Sequence, residues 1–202
     1  MRIAALLAAI VAFIGGASAL LQGPLPGDVT LTLALQETLG ARPFWAGWLT
    51  DTAKAPLLWG TLVVAGALAY QVARLRGALA LPLAYAFAFA ADKGLRAVLF
   101  VPRPDPALVA VADPAASSGL PSTFGLVYGA MFGVALLASG PAHRARAARL
   151  LAGGLLIAGV SARITLGGHW SSQMIASTAL GMLAAQAALA ITARLPLPRR
   201  AR

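Results

Sequence analysis

Six apolar segments alternate with short polar stretches along the 202 residues of the chain. A helix rises about 1.5 Å per residue and the hydrocarbon core of a bilayer is about 30 Å thick, so each crossing needs roughly 20 mainly apolar residues. Backbone amides cannot stay unpaired in lipid, and the pattern therefore predicts an all-α, polytopic membrane protein, a bundle of six transmembrane helices. The predicted spans are residues 3–21, 55–73, 77–100, 122–139, 150–166 and 172–193.

The composition supports a membrane location. Hydrophobic residues make up 59% of the chain and charged residues only 11%, a balance that soluble domains of this length do not normally show. The chain has no cysteine, which excludes a disulfide, a thiolate metal site and a cysteine nucleophile. No repeat or low-complexity tract interrupts the sequence, so we predict a single membrane domain over residues 1–202.

The net charge of +10 comes mainly from arginines in alternate loops. Ten of the 16 basic residues fall on one predicted side of the membrane, and none of the six acidic residues does. By the positive-inside rule that side is cytoplasmic and holds both termini, and a bacterial plasma membrane is the expected location. The absence of a basic soluble domain argues against nucleic-acid binding. The ten residues are Arg2, Arg74, Arg76, Arg144, Arg146, Arg149, Arg194, Arg199, Arg200 and Arg202.

The first segment and the linker that follows it allow more than one interpretation. Arg2, an apolar run and "ASA" at residues 17–19 also fit a cleaved signal peptide, which would leave the orientation of the later spans unchanged. The linker, residues 22–54, is predicted to lie outside. Its prolines and its interfacial aromatics Phe44, Trp45 and Trp48 favour an interfacial or re-entrant helix over a separate domain.

Charged residues gather at the predicted outer end of the third span. In "DKGLRAVLFVPRP", Asp92 and Arg96 have the i,i+4 spacing of a helical ion pair, and Lys93 and Arg96 share a face at i,i+3. Charges inside a span are costly and are functional candidates, although snorkelling to the interface is the alternative. Arginine forks match phosphate oxygens and lysine adds a point charge, so this group, with Arg103 after it, predicts a phosphate site.

Two further outer span ends carry candidate residues. In "SSGLPSTFG", Ser122 and the amides after Pro121 begin a helix, where anions bind readily, although an ordinary helix cap would also explain them. In "ARITLGGHWSSQ", Arg163 ends the fifth span, while His169 and Gln173 stand at the start of the sixth. His169 is the only histidine predicted to face outward, and it faces several cationic donors.

The order and spacing of these residues resemble the three motifs of the type 2 phosphatidic acid phosphatase (PAP2) superfamily, membrane lipid phosphatases related to vanadium haloperoxidases. The first motif, Lys, six residues and Arg-Pro, is similar to "RAVLFVPRP", with Arg96 in the lysine position and Arg103 following. The second, Pro-Ser-Gly-His, is similar to "PSTF" at residues 121–124. The third, Arg, five residues, His, three residues and Asp, is similar to "RITLGGHWSSQ", with Gln173 in the aspartate position. The resemblance covers residues 77–193.

The resemblance implies a covalent mechanism in which His169 attacks phosphorus and forms a phosphohistidine. Gln173 would accept a hydrogen bond from the imidazole in place of the aspartate. Phe124 replaces the histidine that resembles a general acid, and this loss should favour a lipid diphosphate, whose phosphate leaves readily, over phosphatidic acid, whose alkoxide needs a proton. The phosphoryl group would be held by Lys93, Arg96, Arg103, Ser122, Thr123 and Arg163.

The expected function is therefore hydrolysis of a phosphorylated membrane lipid, with a polyprenyl diphosphate preferred, at the outer face. No metal or other cofactor is expected, because arginines would stabilise the charge and the sequence shows no acidic ligand cluster. The main alternative is a catalytically degenerate relative that binds or carries a phosphorylated lipid without hydrolysis. A transporter is a weaker alternative, since no spans are broken at corresponding positions of two halves.

Overall fold

The computed structural model describes residues 2–196, with the side chains of all of them except residues 143 and 144. Within that range the chain is helical and contains no β-strand. The basic tail that was counted as cytoplasmic, Arg199, Arg200 and Arg202, lies outside the described residues. The helices are α1 (Arg2–Leu21), α2 (Asp28–Leu39), α3 (Phe44–Asp51), α4 (Leu57–Val98), α5 (Thr123–Leu137), α6 (Ala142–Thr165) and α7 (Ser171–Ala193).

Four helices of the described residues are long and apolar enough to cross a membrane. They are α1, α4, α7 and the 21-residue stretch Ala145–Thr165 of α6. Helix α5 is apolar too, but it has only 15 residues. The prediction of an all-α membrane protein is thus confirmed at the level of helix type and composition.

The longest helix, α4, contains both the second and the third predicted spans. Its 42 residues would extend about 63 Å if they were straight, twice the thickness of the hydrocarbon core. The backbone leaves helical geometry at Arg74, where φ is +54°, and the chain folds back so that Gly66 lies against Leu81. Residues 57–72 and 75–98 are therefore two antiparallel helices joined by a sharp turn.

Helix α6 begins earlier than the sequence pattern predicts. The stretch "HRARAAR", predicted as a loop before a span at 150–166, forms the first turns of a helix that starts at Ala142. Alanine and arginine are among the strongest helix formers, so the basic stretch extends the helix instead of interrupting it. Arg149 donates from Nη2 to the carbonyl oxygen of Ala138 at 2.7 Å, which ties this first part of α6 to the end of α5.

The linker forms two helices where one was predicted. Gly40, with φ at +84°, and Pro43 separate α2 from α3. Helix α2 packs against α6 and α7. Its Gln36 donates from Nε2 to the carbonyl oxygens of Ala110 and Thr165, at 2.7 and 2.9 Å. The linker therefore covers the end of the bundle where α6 leads into α7.

Helix α5 lies at the centre of the bundle. All its residues from 124 to 135 are buried, and it packs against α4, α6 and α7. A Cβ atom on Gly129 would lie 2.3 Å from the carbonyl oxygen of Thr178, and one on Gly181 would lie 2.3 Å from that of Leu126. Small residues allow such close backbone contact between membrane helices. This packing holds the beginnings of α5 and α7 side by side.

Candidate functional site

Two glycines build the loop that carries His169, between α6 and α7. Gly167 adopts the left-handed region, with φ at +63°, and its N–H donates to the carbonyl of Ile164 at 2.9 Å. The N–H of Gly168 donates to the carbonyl of Arg163 at 3.0 Å, which completes a Schellman motif at the end of α6. A Cβ atom on Gly168 would lie 2.9 Å from Arg163 Cζ. The tight turn therefore lets the Arg163 guanidinium pack against the backbone next to His169.

The first turn of α7 is capped by a residue from outside the helix, Asp28. The helix's own N-cap residue is Trp170, whose side chain makes no capping hydrogen bond. Asp28, buried at the start of α2, accepts from the Ser172 amide at 2.8 Å, the Ser172 hydroxyl at 2.6 Å and the Ser171 hydroxyl. A carboxylate at a helix N-terminus satisfies a free N–H and interacts favourably with the helix dipole. Asp28 thus fixes the helix that begins two residues after His169.

His169 is held in one orientation with one ring nitrogen left unprotonated. The side chain is only 2% exposed, and its Nδ1 lies 2.8 Å from the carbonyl oxygen of Gly119. A carbonyl can only accept, so Nδ1 carries the proton and Nε2 keeps its lone pair. Nε2 faces Arg103 Nη1 at 3.4 Å. This is the tautomer that a nucleophile at Nε2 requires.

The electrostatic surroundings keep the imidazole neutral. Burial lowers the pKa of His169 well below its usual value of 6.5, and the nearby Arg163 and Arg103 cations lower it further, while the hydrogen bond to the backbone carbonyl raises it. Burial and the charge of Arg96 also lower the pKa of Arg103, against the effect of Asp113. A guanidinium nevertheless stays protonated in proteins. At neutral pH an uncharged histidine therefore faces charged arginines.

Arg103 and Arg163 differ in how many of their N–H groups are hydrogen-bonded to the protein. Arg103 donates from Nε to the Ser117 carbonyl at 2.8 Å, from Nη2 to the Ser117 hydroxyl at 2.9 Å and from Nη1 to the Gly168 carbonyl at 2.9 Å. Arg163 Nε is buried without a hydrogen-bond partner among the described residues. Burying a polar group costs free energy unless it is hydrogen-bonded, so this donor is a place where an oxyanion would be stabilised.

A cavity of about 440 Å³ opens beside these residues. Arg103, Ser117 and Gly167 line it together with two acidic residues, Asp105 and Asp113. Its volume lies within the range of small-molecule sites, about 300–1,000 Å³. Within the described residues, no group of three or more histidine, aspartate or glutamate side chains is arranged to hold a metal ion. Arg103 is the cationic residue among those that line the cavity.

Arg96, which was predicted to bind phosphate, makes several hydrogen bonds to the protein. Nε donates to Asp92 at 2.9 Å, as the i,i+4 spacing predicts. Nη1 donates to the Ser118 carbonyl at 3.2 Å, and Nη2 donates to the Pro121 carbonyl and to the Thr123 hydroxyl. Thr123, another predicted phosphate ligand, donates in turn to Asp92 at 2.8 Å. This Arg96–Asp92–Thr123 network braces the start of α5 against the end of α4.

Ser122 and Lys93 have partners of a different kind. Ser122 is fully buried: its hydroxyl accepts from the Gly125 amide at 3.3 Å as the N-cap of α5, and its own amide donates to the Ser177 hydroxyl at 2.8 Å. Lys93 is exposed, with Nζ 5.4 Å above the ring of Phe89. The capping interpretation of Ser122 therefore describes the geometry, and the predicted convergence of Lys93 with the arginines is wrong.

Gln173 does not partner the histidine ring. It is fully buried, its Nε2 donates to the Pro102 carbonyl at 2.7 Å, and its Oε1 accepts from the Trp170 amide at 3.2 Å. The ring N–H is taken by Gly119, and a Cβ atom on Gly119 would lie 2.6 Å from Gln173 Oε1. The predicted hydrogen bond to the imidazole is therefore wrong. Gln173 instead clamps together the two loops that carry the arginine and the histidine.

Phe124, in the position of the general acid, is a core residue. It is 6% exposed, and its ring stacks on Tyr128 with the centroids 4.1 Å apart. Gly159 of α6 leaves room for both rings, since a Cβ atom there would lie 2.8 Å from each. The other histidine, at position 143, lies near the start of α6, about 33 Å of helix away from the loop of His169. The phenyl ring of Phe124 has no proton to give to a leaving group at His169.

Three contributors to the geometry were not predicted from the sequence. They are Asp28, Gln36 and the carbonyl of Gly119. The sequence contains one weak indication of the role of Asp28. Helix α7 begins after a tryptophan that cannot cap it, so an acidic residue from elsewhere in the chain could supply the missing acceptor. The contacts of Gln36 and Gly119 involve backbone carbonyls distant in the chain, which leave no local pattern.

Comparison with known proteins places the fold. No protein-family model matches the chain, and no curated protein matches its sequence. Among solved structures, the chain is similar to the transmembrane PAP2-type phosphatidylglycerolphosphate phosphatase from Bacillus subtilis, with a TM-score of 0.71, 17% sequence identity and 100% of each chain covered. The chain therefore has the fold of a PAP2-type membrane phosphatase.

Proposed function

We propose that the chain belongs to the PAP2 superfamily and hydrolyses a phosphorylated lipid through a phosphohistidine on His169. In the first step Nε2 forms a bond to phosphorus as the bond from phosphorus to the leaving oxygen breaks. In the second step water cleaves the N–P bond, releases phosphate and restores the imidazole. The fold, the three motif-like segments and the cationic surroundings of the ring support this function.

The observation that carries the proposal is the fixed tautomer of His169. The Gly119 carbonyl holds the proton on Nδ1 at 2.8 Å, so the lone pair lies on Nε2, which faces Arg103. A neutral, oriented imidazole beside cations is what in-line attack on a phosphoryl group requires. A histidine with a purely structural role would be expected to use both nitrogens in hydrogen bonds to carbonyls or hydroxyls.

The arginines supply the charge stabilisation. Phosphoryl transfer leaves negative charge on the equatorial oxygens, and donors fixed before the reaction stabilise it most effectively. Arg163 has an unused buried donor, and Arg103 is held by Ser117 and Gly168 with Nη1 toward the imidazole. An incoming phosphoryl group would take the place of the Arg103–His169 contact. Arg96 would act mainly by holding the loop.

The leaving group distinguishes possible substrates. General acid assistance is typically worth about 10²- to 10⁴-fold in rate, and Phe124 cannot provide it. The leaving phosphate of a diphosphate departs readily without a proton, whereas the alkoxide of phosphatidic acid does not. We therefore propose that a polyprenyl diphosphate is hydrolysed in preference to phosphatidic acid.

Phosphate release from both substrates by the purified protein tests this function. We expect turnover of the prenyl diphosphate, slower turnover of phosphatidic acid, and loss of both in His169→Ala. A phosphoenzyme trapped at short times should be absent from that variant. Lipid binding without phosphate release in the wild type would favour the degenerate carrier, and activity retained in His169→Ala would refute the assigned nucleophile.

We also propose six crossings, with the termini in the cytoplasm and the site at the outer face of a bacterial plasma membrane. The alternation of basic residues and the folding back of α4 support this topology. The chain has no cysteine, so single cysteines report without background. In intact cells a membrane-impermeant maleimide should label Ala107→Cys, in the loop before α5. It should label Ala142→Cys, which is exposed at the start of α6 and precedes the stretch Ala145–Thr165, only after lysis. The reverse pattern would refute the orientation.

A further inference from the structure

An apolar groove runs along the side of the bundle between α1, α4 and α7. Its volume is about 220 Å³. Ser177 is the one hydroxyl residue that lines it, and that hydroxyl is already bonded to the Ser122 amide. The groove therefore presents hydrocarbon and no free polar group. The main lining residues are Val11, Gly16, Leu95, Leu99, Leu120 and Leu180.

The side of the groove that α1 forms contains an irregular helical turn. Residues Val11–Gly15 form a π-helical turn inside α1, a feature often found at functional sites. Gly15 packs against α7, since a Cβ atom on it would lie in van der Waals contact with Ala176 Cβ, at 3.5 Å. A Cβ atom on Gly16 would meet nothing within 4 Å. The space at Gly16 is therefore open, while α1 as a whole remains packed on α7.

The groove and the cationic site are neighbours, with a further cavity between them. A second cavity, of about 400 Å³, is lined by Arg96, Leu99, Phe100 and Ser117. It shares Leu99 with the groove, and it shares Phe100 and Ser117 with the cavity beside Arg103. The three spaces follow one another along the end of α4. One end of the series is charged and the other is hydrocarbon, which is the distribution of polarity in a phosphorylated lipid.

We propose that the groove holds the hydrocarbon chain of the substrate lipid while its phosphate lies beside Arg103 and His169. This inference rests on the proposed function. The surrounding bilayer is as apolar as the groove, so the groove adds little hydrophobic affinity. Its effect is to orient the chain, and through it the phosphorus, toward the imidazole. Misplacement of a substrate by about 1 Å can lower a rate by about 10²-fold.

Filling the groove at Gly16 tests the proposal. Gly16→Leu adds a side chain in open space, and Gly154→Leu is a matched control on α6, since Gly154 is also helical with nothing within 4 Å of a Cβ atom. Farnesyl diphosphate and dimethylallyl diphosphate share the reacting groups and differ in chain length. For farnesyl diphosphate we expect kcat/KM to fall by about 10- to 100-fold in Gly16→Leu. For dimethylallyl diphosphate we expect no change, and Gly154→Leu should alter neither.

An equal fall for both diphosphates, or no fall for either, would overturn the groove assignment. A second measurement does not depend on turnover: in His169→Ala, a farnesyl diphosphate analogue with a photoreactive chain end should cross-link to residues of α1 and α7 that line the groove. Cross-links elsewhere, or a groove covered by a second copy of the chain, would overturn the assignment. Absence of hydrolysis together with cross-links in the groove would refute the phosphatase function and leave the groove assignment intact.

Discussion

Restoring the aspartate of the third PAP2 motif should damage this protein. Gln173 occupies the aspartate position, yet its amide donates to the Pro102 carbonyl at 2.7 Å and accepts from the Trp170 amide at 3.2 Å. An aspartate has no N–H to donate and is one methylene shorter. The imidazole N–H is already bonded to the Gly119 carbonyl, so a carboxylate would find no vacant donor on the ring.

The cost of Gln173→Asp follows from the burial of the site. The side chain is 0% exposed. Removing a buried methylene costs about 1 kcal/mol, and leaving the Pro102 carbonyl unpaired costs about 1–3 kcal/mol. A buried carboxylate adds a desolvation penalty that an imperfectly placed cation does not repay. We therefore expect the free energy of unfolding to fall by at least about 3 kcal/mol, and kcat/KM by about 10²-fold as the loop of Arg103 shifts.

Gln173→Asn is the matched control, because it shortens the side chain equally but keeps the amide. We expect it to lower the free energy of unfolding by about 1–2 kcal/mol, from the lost methylene and weakened hydrogen bonds. Thermal unfolding in detergent and phosphate release from farnesyl diphosphate measure both effects. The reasoning would be refuted if Gln173→Asp were as stable as the wild type and more active, since the carboxylate would then be orienting His169.

Four further predictions concern the surroundings of His169. Asp28→Asn should lower the free energy of unfolding by about 1–2 kcal/mol and reduce turnover, because a charged cap is lost. The control Glu37→Gln, at an exposed position of the same helix, should change neither, and equal effects of the two substitutions would contradict the capping role. Burial places the pKa of His169 below 6.5, so kcat/KM should stay constant as the pH falls to 6. The free energy of unfolding should fall below pH 6.5, because the histidine of the unfolded chain gains a proton there while the buried ring stays neutral. Arg163→Gln should raise that pKa in an NMR titration of the ring; an unchanged value would show that the arginine charge is not sensed. Arg96→Lys, which restores the motif lysine, should lower the unfolding temperature, since lysine cannot reproduce the guanidinium fork, and a rise would contradict the bracing role.

The hydrophobic pattern and the segment lengths were sufficient to predict that the chain is helical. They could not predict contacts between residues that are distant in the sequence. Apolar runs marked each long helix, although the reversal at Arg74 and the early start of α6 depend on local backbone geometry and helix propensity. The linker was predicted to form one helix, whereas Gly40 and Pro43 divide it into two. Hydropathy measures how well each segment is accommodated in lipid. It contains no information on how the segments pack against one another, so it cannot predict which helices are in contact.

The same distinction applies to the candidate site. Motif spacing identified Arg103, Arg163 and His169 as candidate site residues, and these three residues lie close together in the structure. Whether they bind phosphate stays a prediction. Motif spacing could not show that Gln173 bonds to the Pro102 carbonyl instead of the imidazole, because the three-dimensional positions of the possible partners decide which hydrogen bond forms. Nor could it find Asp28, whose bonds to α7 cross more than 140 residues of sequence.

Two of the departures from the PAP2 motifs contact each other, and this bears on whether the site has decayed. Arg96 stands where the motif has lysine and Thr123 where it has glycine, and the two are hydrogen-bonded at 3.1 Å and share Asp92. Gln173, in the aspartate position, is hydrogen-bonded through both its amide nitrogen and its amide oxygen in its buried site. Loss of constraint would leave buried polar atoms unpaired among the replaced residues. Among the described residues that correspond to motif positions, the buried side-chain atom without a partner is Nε of Arg163, which matches the motif. The pattern favours a rebuilt support around the proposed nucleophile, which agrees better with the proposed change of substrate preference than with loss of the reaction.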